Sequence, residues 1–185
     1  MAKNETRNTS CDYEGDVEMN TNAVFGLSAL SSLIASIVAA TLWVVPKLRT
    51  LERNEALQLL VAPHMFFRTI GLSFLVPGVV SSELPRAFAV PAAYGDFAAA
   101  ALAVVSILLL AKHLPGAIPL VWVFNVWGSL DFFNAFYQGG AHARLDPGKF
   151  GAAFYIPTAM VPPLFVTHAL IFSVLLRRKN STQVA

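Results

Sequence analysis

The sequence predicts an all-α fold, a polytopic integral membrane protein built as a compact bundle of about five transmembrane helices, and three observations carry that expectation. Its 185 residues are 56% hydrophobic and 13% charged, about half the charged share of an average soluble domain. Apolar runs of about 20 residues, the length that crosses a hydrocarbon core roughly 30 Å thick, alternate with short charged patches. These runs are continuous, whereas the strands of a membrane barrel would alternate apolar and polar residues over about 10 positions.

Taken in order, residues 1–22, "MAKNETRNTSCDYEGDVEMNTN", are polar with an acidic excess and predict a flexible tail. Asp12, Glu14, Asp16 and Glu18 stand where a secretory signal would carry basic residues, so the first apolar run reads as a mature helix. A five-helix transmembrane domain is expected over residues 23–178, with spans at about 24–45, 57–80, 88–110, 118–137 and 150–176, followed by a polar tail at 179–185. Pro46 and the basic stretch "PKLRTLERNE" end the first span in this reading. Ser28, Ser32, Ser36 and Ala40 in the first span, and Gly95, Ala99 and Ala103 in the third, recur every four residues. Such small-residue stripes let neighbouring helices approach closely. The single cysteine, Cys11, has no partner for a disulfide within the chain.

Five spans place the termini on opposite sides. With the N-terminus outside, the inner flanks hold Lys47, Arg49, Arg53, Lys112, Arg177, Arg178 and Lys179, and the outer flanks hold Lys3, Arg7, Arg86, Arg144 and Lys149. The excess on the inner side sets the expected orientation, N-terminus outside and C-terminus cytoplasmic. Net charge of +2 belongs to these flanks and points to the lipid bilayer rather than to nucleic acid.

The second span carries Arg68 among apolar residues. A central arginine costs about 2.5–3.5 kcal/mol on insertion scales, and a guanidinium in a span is expected to face inward toward an anion. Two carboxylates are available, Asp96 and Asp131. At 1.5 Å per residue they lie about 12 and 9 Å from the outer ends of their helices, with Arg68 about 18 Å from its own and able to reach outward. Asp131 and Asn134 follow helical spacing with Trp127 just inward, Asn125 points about 120° away toward another neighbour, and Tyr94 adds a hydroxyl at similar depth. The sequence thereby predicts a ligand or proton pocket formed by Arg68, Asp96, Asp131, Asn134, Asn125, Tyr94 and Trp127. One arginine needs one carboxylate, and the surplus carboxylate and amides ask for water, a proton or a small-molecule or ion ligand. The alternative is a static ion pair that fixes helix register.

His64 and His168 lie about 10 and 12 Å from the inner ends of the second and fifth spans. Similar depth on two helices is what axial ligation of a haem b requires, with Arg68 facing a propionate. The competing reading gives each histidine a hydrogen bond to a neighbour such as Thr167. Pro63, Pro77, Pro157, Pro162 and Pro163 free backbone carbonyls and predict kinks. No lysine lies within a span, and no Walker loop, HExxH, GxSxG or cysteine metal motif occurs, so enzymatic chemistry has little support. Three functions follow: a membrane protein binding or translocating a small solute or proton, a haem b electron-transfer or sensor subunit, or a non-catalytic accessory subunit of a larger membrane complex. The small-residue stripes also allow a homo-oligomer.

Overall fold

The computed structural model describes residues 20–142 and 145–177. The tails expected at 1–22 and 179–185 lie outside the described residues apart from Asn20–Asn22, as does Cys11. Among the described residues the chain is predominantly helical and contains no β-strand. Three helices are long and apolar enough to cross a membrane: Thr21–Thr50, Arg86–Ala111 and Ile156–Leu175. We number these α1, α3 and α5. Between them stand α2, an α-helix over Arg53–Phe67 that tightens into a 3₁₀ helix over Arg68–Leu75, and α4 over Ala117–Phe136.

Proline decides where this pattern departs from the sequence reading. Pro46 lacks an N–H and would clash with the carbonyl one turn earlier. The chain absorbs the defect as a π turn over Ala40–Val44 and stays helical to Thr50, so Pro46 does not end the first helix. Leu51 then breaks it, and Glu52 starts α2 with a capping box in which the Glu55 carboxylate accepts the Glu52 N–H at 3.2 Å. The second helix therefore begins four residues before the expected start. It ends at Leu75 rather than Val80, because Pro77 and Gly78 (φ +85°) turn the chain.

The expected fifth span at 150–176 is broken as well. Pro147–Phe154 forms a 3₁₀ segment folded back on the loop after α2, with Ser81 N–H donating to Lys149 O at 3.0 Å and Ala152 N–H to Val79 O at 2.8 Å. Gly151 sits at φ +52° with Val79 O where a β-carbon would stand, so only glycine fits. The helix itself begins at Ile156, through a π turn over Ile156–Met160 ahead of Pro162 and Pro163.

Packing divides the bundle into three levels. At the end where α1 finishes, Leu57, Leu60 and Val61 of α2, Leu110 of α3, Val121 and Phe124 of α4 and Ile171 and Val174 of α5 form a dry apolar core. At the opposite end, Phe74, Phe88, Ala92, Ala93, Phe150 and Ile156 form a second, aromatic core. The buried side chains of His64, Arg68, Asp96, Asn125 and His168 occupy the level between them. Gly95, Ala99 and Ala103 bring α3 against its neighbours, with both alanines fully buried. Helix α1 packs on α5 through the side bearing Ser32, whose hydroxyl donates to Ala159 O at 3.5 Å. Its other side, with Leu27, Leu30, Ile34, Leu42 and Trp43, is exposed. Large apolar side chains also point outward from α2 (Phe66, Phe67), α3 (Val105, Leu108) and α4 (Val123, Leu130, Phe133).

Candidate functional site

Arg68 stands at the junction of the α and 3₁₀ parts of α2, 1% exposed. Its guanidinium is shared among three other helices. Nη1 donates to Asp96 Oδ1 on α3 and to Asp131 Oδ2 on α4, each at 2.7 Å. Nη2 donates to Gly128 O at 2.7 Å and meets His168 Nε2 of α5 at 3.0 Å. The Phe132 ring lies across the guanidinium, 3.6 Å from its centre, a cation–π contact in a site withdrawn from solvent. One side chain thereby joins all four helices of the inner bundle.

Donor and acceptor chemistry orders the rest. Arginine can only donate, so His168 Nε2 accepts and its proton sits on Nδ1. That N–H donates to Asn125 Oδ1 at 2.6 Å, and Asn125 Nδ2 donates back to His168 O at 3.2 Å. The Thr167 hydroxyl is committed to Leu164 O at 2.8 Å, so His64 Nε2 donates to Thr167 Oγ1 at 2.9 Å. A continuous series runs from His64, whose ring centre is 4.4 Å from that of His168, through Arg68 to the two carboxylates. Replacing Asn125 by leucine leaves the His168 imidazole without its acceptor. The expected loss is about 1–3 kcal/mol of stability, the desolvation penalty of an orphaned buried donor. Thermal unfolding of the detergent-solubilised variant checks this.

Glycines make the close approach possible. A β-carbon on Gly71 would lie 2.6 Å from Asp96 Cβ, one on Gly95 2.7 Å from Asp131 Cγ, and one on Gly128 2.6 Å from His168 Cε1. Helices α2, α3 and α4 thus each have a glycine where Asp96, Asp131 and His168, respectively, cross them.

On their far side Asp96 and Asp131 form part of the wall of a cavity of about 440 Å³. Arg68 lies behind them, outside the lining. Apart from Asn22, the remaining side chains of the wall are apolar, with Phe25, Phe74, Phe88, Phe136 and Phe150 among them. These come from the start of α1, the end of α2, the start of α3, the end of α4 and the 3₁₀ segment, so the cavity lies at one end of the bundle.

The sequence-predicted residues separate clearly. Arg68, Asp96, Asp131 and Asn125 meet in one network, and His168, expected as a haem ligand, joins them. Asn134 and Tyr94 do not, and their assignment to the pocket is corrected. The buried stripe of α4 runs through Val121, Asn125, Gly128 and Phe132. Asn134 falls on the opposite stripe with Val123, Trp127 and Leu130 and is exposed. Asp131 sits at the edge of the buried stripe, so a residue three positions on has already turned away. Tyr94 is 58% exposed, on the outer side of α3. Trp127 is half-exposed and donates its indole N–H to Gly95 O at 3.3 Å, bracing α4 on α3.

The two histidines do not fit the haem reading. A porphyrin would have to lie between their rings, yet the rings touch at 4.4 Å with a 55° tilt, and Phe124 packs on both at 5.1 and 5.4 Å. Both Nε2 atoms are engaged by protein groups. Among the described residues no group of three or more His, Cys, Asp or Glu is arranged to hold a metal ion. The phenylalanine wall was missed by the sequence reading, although Phe25, Phe74, Phe88 and Phe150 all stand near the same ends of the expected spans.

Residues 24–176 match the family described as Domain of unknown function (DUF8737), and the chain belongs to that family. No curated protein and no solved structure matches it.

Proposed function

We propose that this member of the DUF8737 family is a five-span membrane protein that takes a small solute into the cavity at the N-terminal end of α1, with Asp96 and Asp131 making the polar contact. One observation carries the reading: two carboxylates share a single arginine behind them while forming part of the wall of a cavity. A static ion pair would need one carboxylate and no space beside it. Cavities of about 300–1,000 Å³ with a few convergent polar groups in an apolar wall are the usual form of small-ligand sites.

The outward-facing leucine, isoleucine, valine and phenylalanine side chains support insertion of all five helices, because they would be a liability in water and match the acyl chains of a bilayer. Helices α2 and α4 carry Arg68, Asn125 and Asp131, whose polar groups are turned inward and hydrogen-bonded. Counting the flanking lysines and arginines puts the cavity end outside. The dry core at the other end closes the inner side, so in this conformation the protein binds and does not conduct. Translocation would require that core to part, and the proline-linked π and 3₁₀ turns of α2 and α5 are where the helices can bend.

Ala135 lines the cavity. In a Cys11→Ser background, Ala135→Cys in sealed vesicles of known orientation is expected to react with a membrane-impermeant methanethiosulfonate from the N-terminal side alone. Absence of reaction from that side, in protein shown to be folded, would mean that the cavity is closed to aqueous solutes and would leave the accessory-subunit reading.

A further inference from the structure

The cavity has a sign. Its polar wall holds two carboxylates, and the one cation among the described residues that contacts them, Arg68, is spent on both through the same nitrogen, each at 2.7 Å. Nη2 of Arg68 is spent elsewhere, on Gly128 O and His168 Nε2. A cluster of two acids and one base is one positive charge short, and in a low-dielectric site an uncompensated charge is costly. A proton or a cation must supply the difference.

The apolar part of the cavity is suited to one kind of cation. Phe74, Phe88 and Phe150 are mutually in contact, with ring centres 5.6–6.0 Å apart, and Phe25 stacks on Phe150 at 6.2 Å. Aromatic faces attract organic ammonium groups and pack on apolar skeletons. A hydrated metal ion gains nothing from such a wall, and the described residues offer it two carboxylates beside apolar space rather than a cluster of three or more ligating side chains. An anion would meet the carboxylates without reaching Arg68, which is buried behind them.

We infer that the ligand of this cavity is an apolar organic cation, an amine or quaternary ammonium on an aromatic or aliphatic skeleton, whose charge sits against Asp96 and Asp131 and whose body lies among Phe25, Phe74, Phe88 and Phe150. This assignment rests on the solute-binding reading above and gives it a chemical class.

The test uses three probes that share one skeleton and differ in charge: 4-phenylbutylamine, 4-phenylbutanol and 4-phenylbutyrate. Each is titrated calorimetrically at neutral pH into the full-length protein in zwitterionic nanodiscs, with empty nanodiscs as the partition control. The amine is expected to bind at least tenfold more tightly than the alcohol, and the carboxylate not measurably. Asp131→Asn is expected to bring the amine to within threefold of the alcohol, and Asp131→Glu to retain the preference. Equal binding of amine and alcohol, or a preference for the carboxylate, overturns the cationic assignment and leaves the cavity as a binding site. Failure of all three probes overturns the solute-binding reading itself. The comparison on unaltered protein decides the sign even where a variant fails to fold.

Discussion

Arg68→Met is expected to destabilise the fold by about 3–5 kcal/mol, the usual consequence of removing one partner from a buried ionic group. Methionine fills most of the arginine's volume, so the loss is electrostatic more than steric. Asp96 and Asp131 would face each other without their shared cation, Gly128 O and His168 Nε2 would lose their donor, and Phe132 would lose the charge over its ring. The triple variant Arg68→Met/Asp96→Asn/Asp131→Asn is expected to recover much of the loss, since replacing a buried ionic cluster as a whole is far less costly than breaking it. Arg68→Lys should not recover it, because one ammonium cannot present a planar fork to four acceptors on three helices. Thermal midpoints and folded yield in detergent separate these cases. If Arg68→Met were as stable as the unaltered protein, the network would not hold the bundle together.

Gly71→Ala is the second large effect. The added methyl would sit 2.6 Å from Asp96 Cβ and 2.8 Å from Asp96 Cγ. The first atom belongs to the root of the side chain and the second is tied to Arg68, so neither can swing aside. The 3₁₀ part of α2 must move away from α3, at about 1–3 kcal/mol for overpacking. Gly26→Ala on α1 is the control: nothing lies within 4 Å of its added carbon, and alanine in a helix interior is favoured over glycine by about 1 kcal/mol. Opposite shifts in thermal midpoint for the two substitutions are expected. A neutral Gly71→Ala would mean that α2 and α3 can part without cost at this crossing.

Much of the site could be read from charge alone. An arginine amid apolar residues needs an anion, and Asp96 and Asp131 stand at reachable depth on two other helices. That argument depends on cost and distance along helices, both of which a sequence carries. The facing of Asn134 and Tyr94 could not be obtained the same way. A helix wheel assigns faces relative to an assumed centre, and Asp131 lies at the edge of the buried stripe, so counting three residues from it leads outward. The histidines fail for a related reason. Equal depth on two helices is compatible with rings in contact or rings held apart, and the packing of Phe124 against both brings them together.

By itself the sequence determined the helical class, the approximate position of each helix, and the need for the buried arginine to meet carboxylates, because hydrophobic length and the cost of burying charge are properties of local composition. The tertiary structure decided what no local property fixes. It carried the first helix past Pro46, which read as its end, through a π turn over Ala40–Val44 that accommodates the missing N–H. It drew His168 into the arginine network, because Gly128 leaves room where the His168 ring meets the guanidinium. It placed four phenylalanines from four segments around the space in front of the carboxylates, because a cavity is made by what several elements leave unfilled.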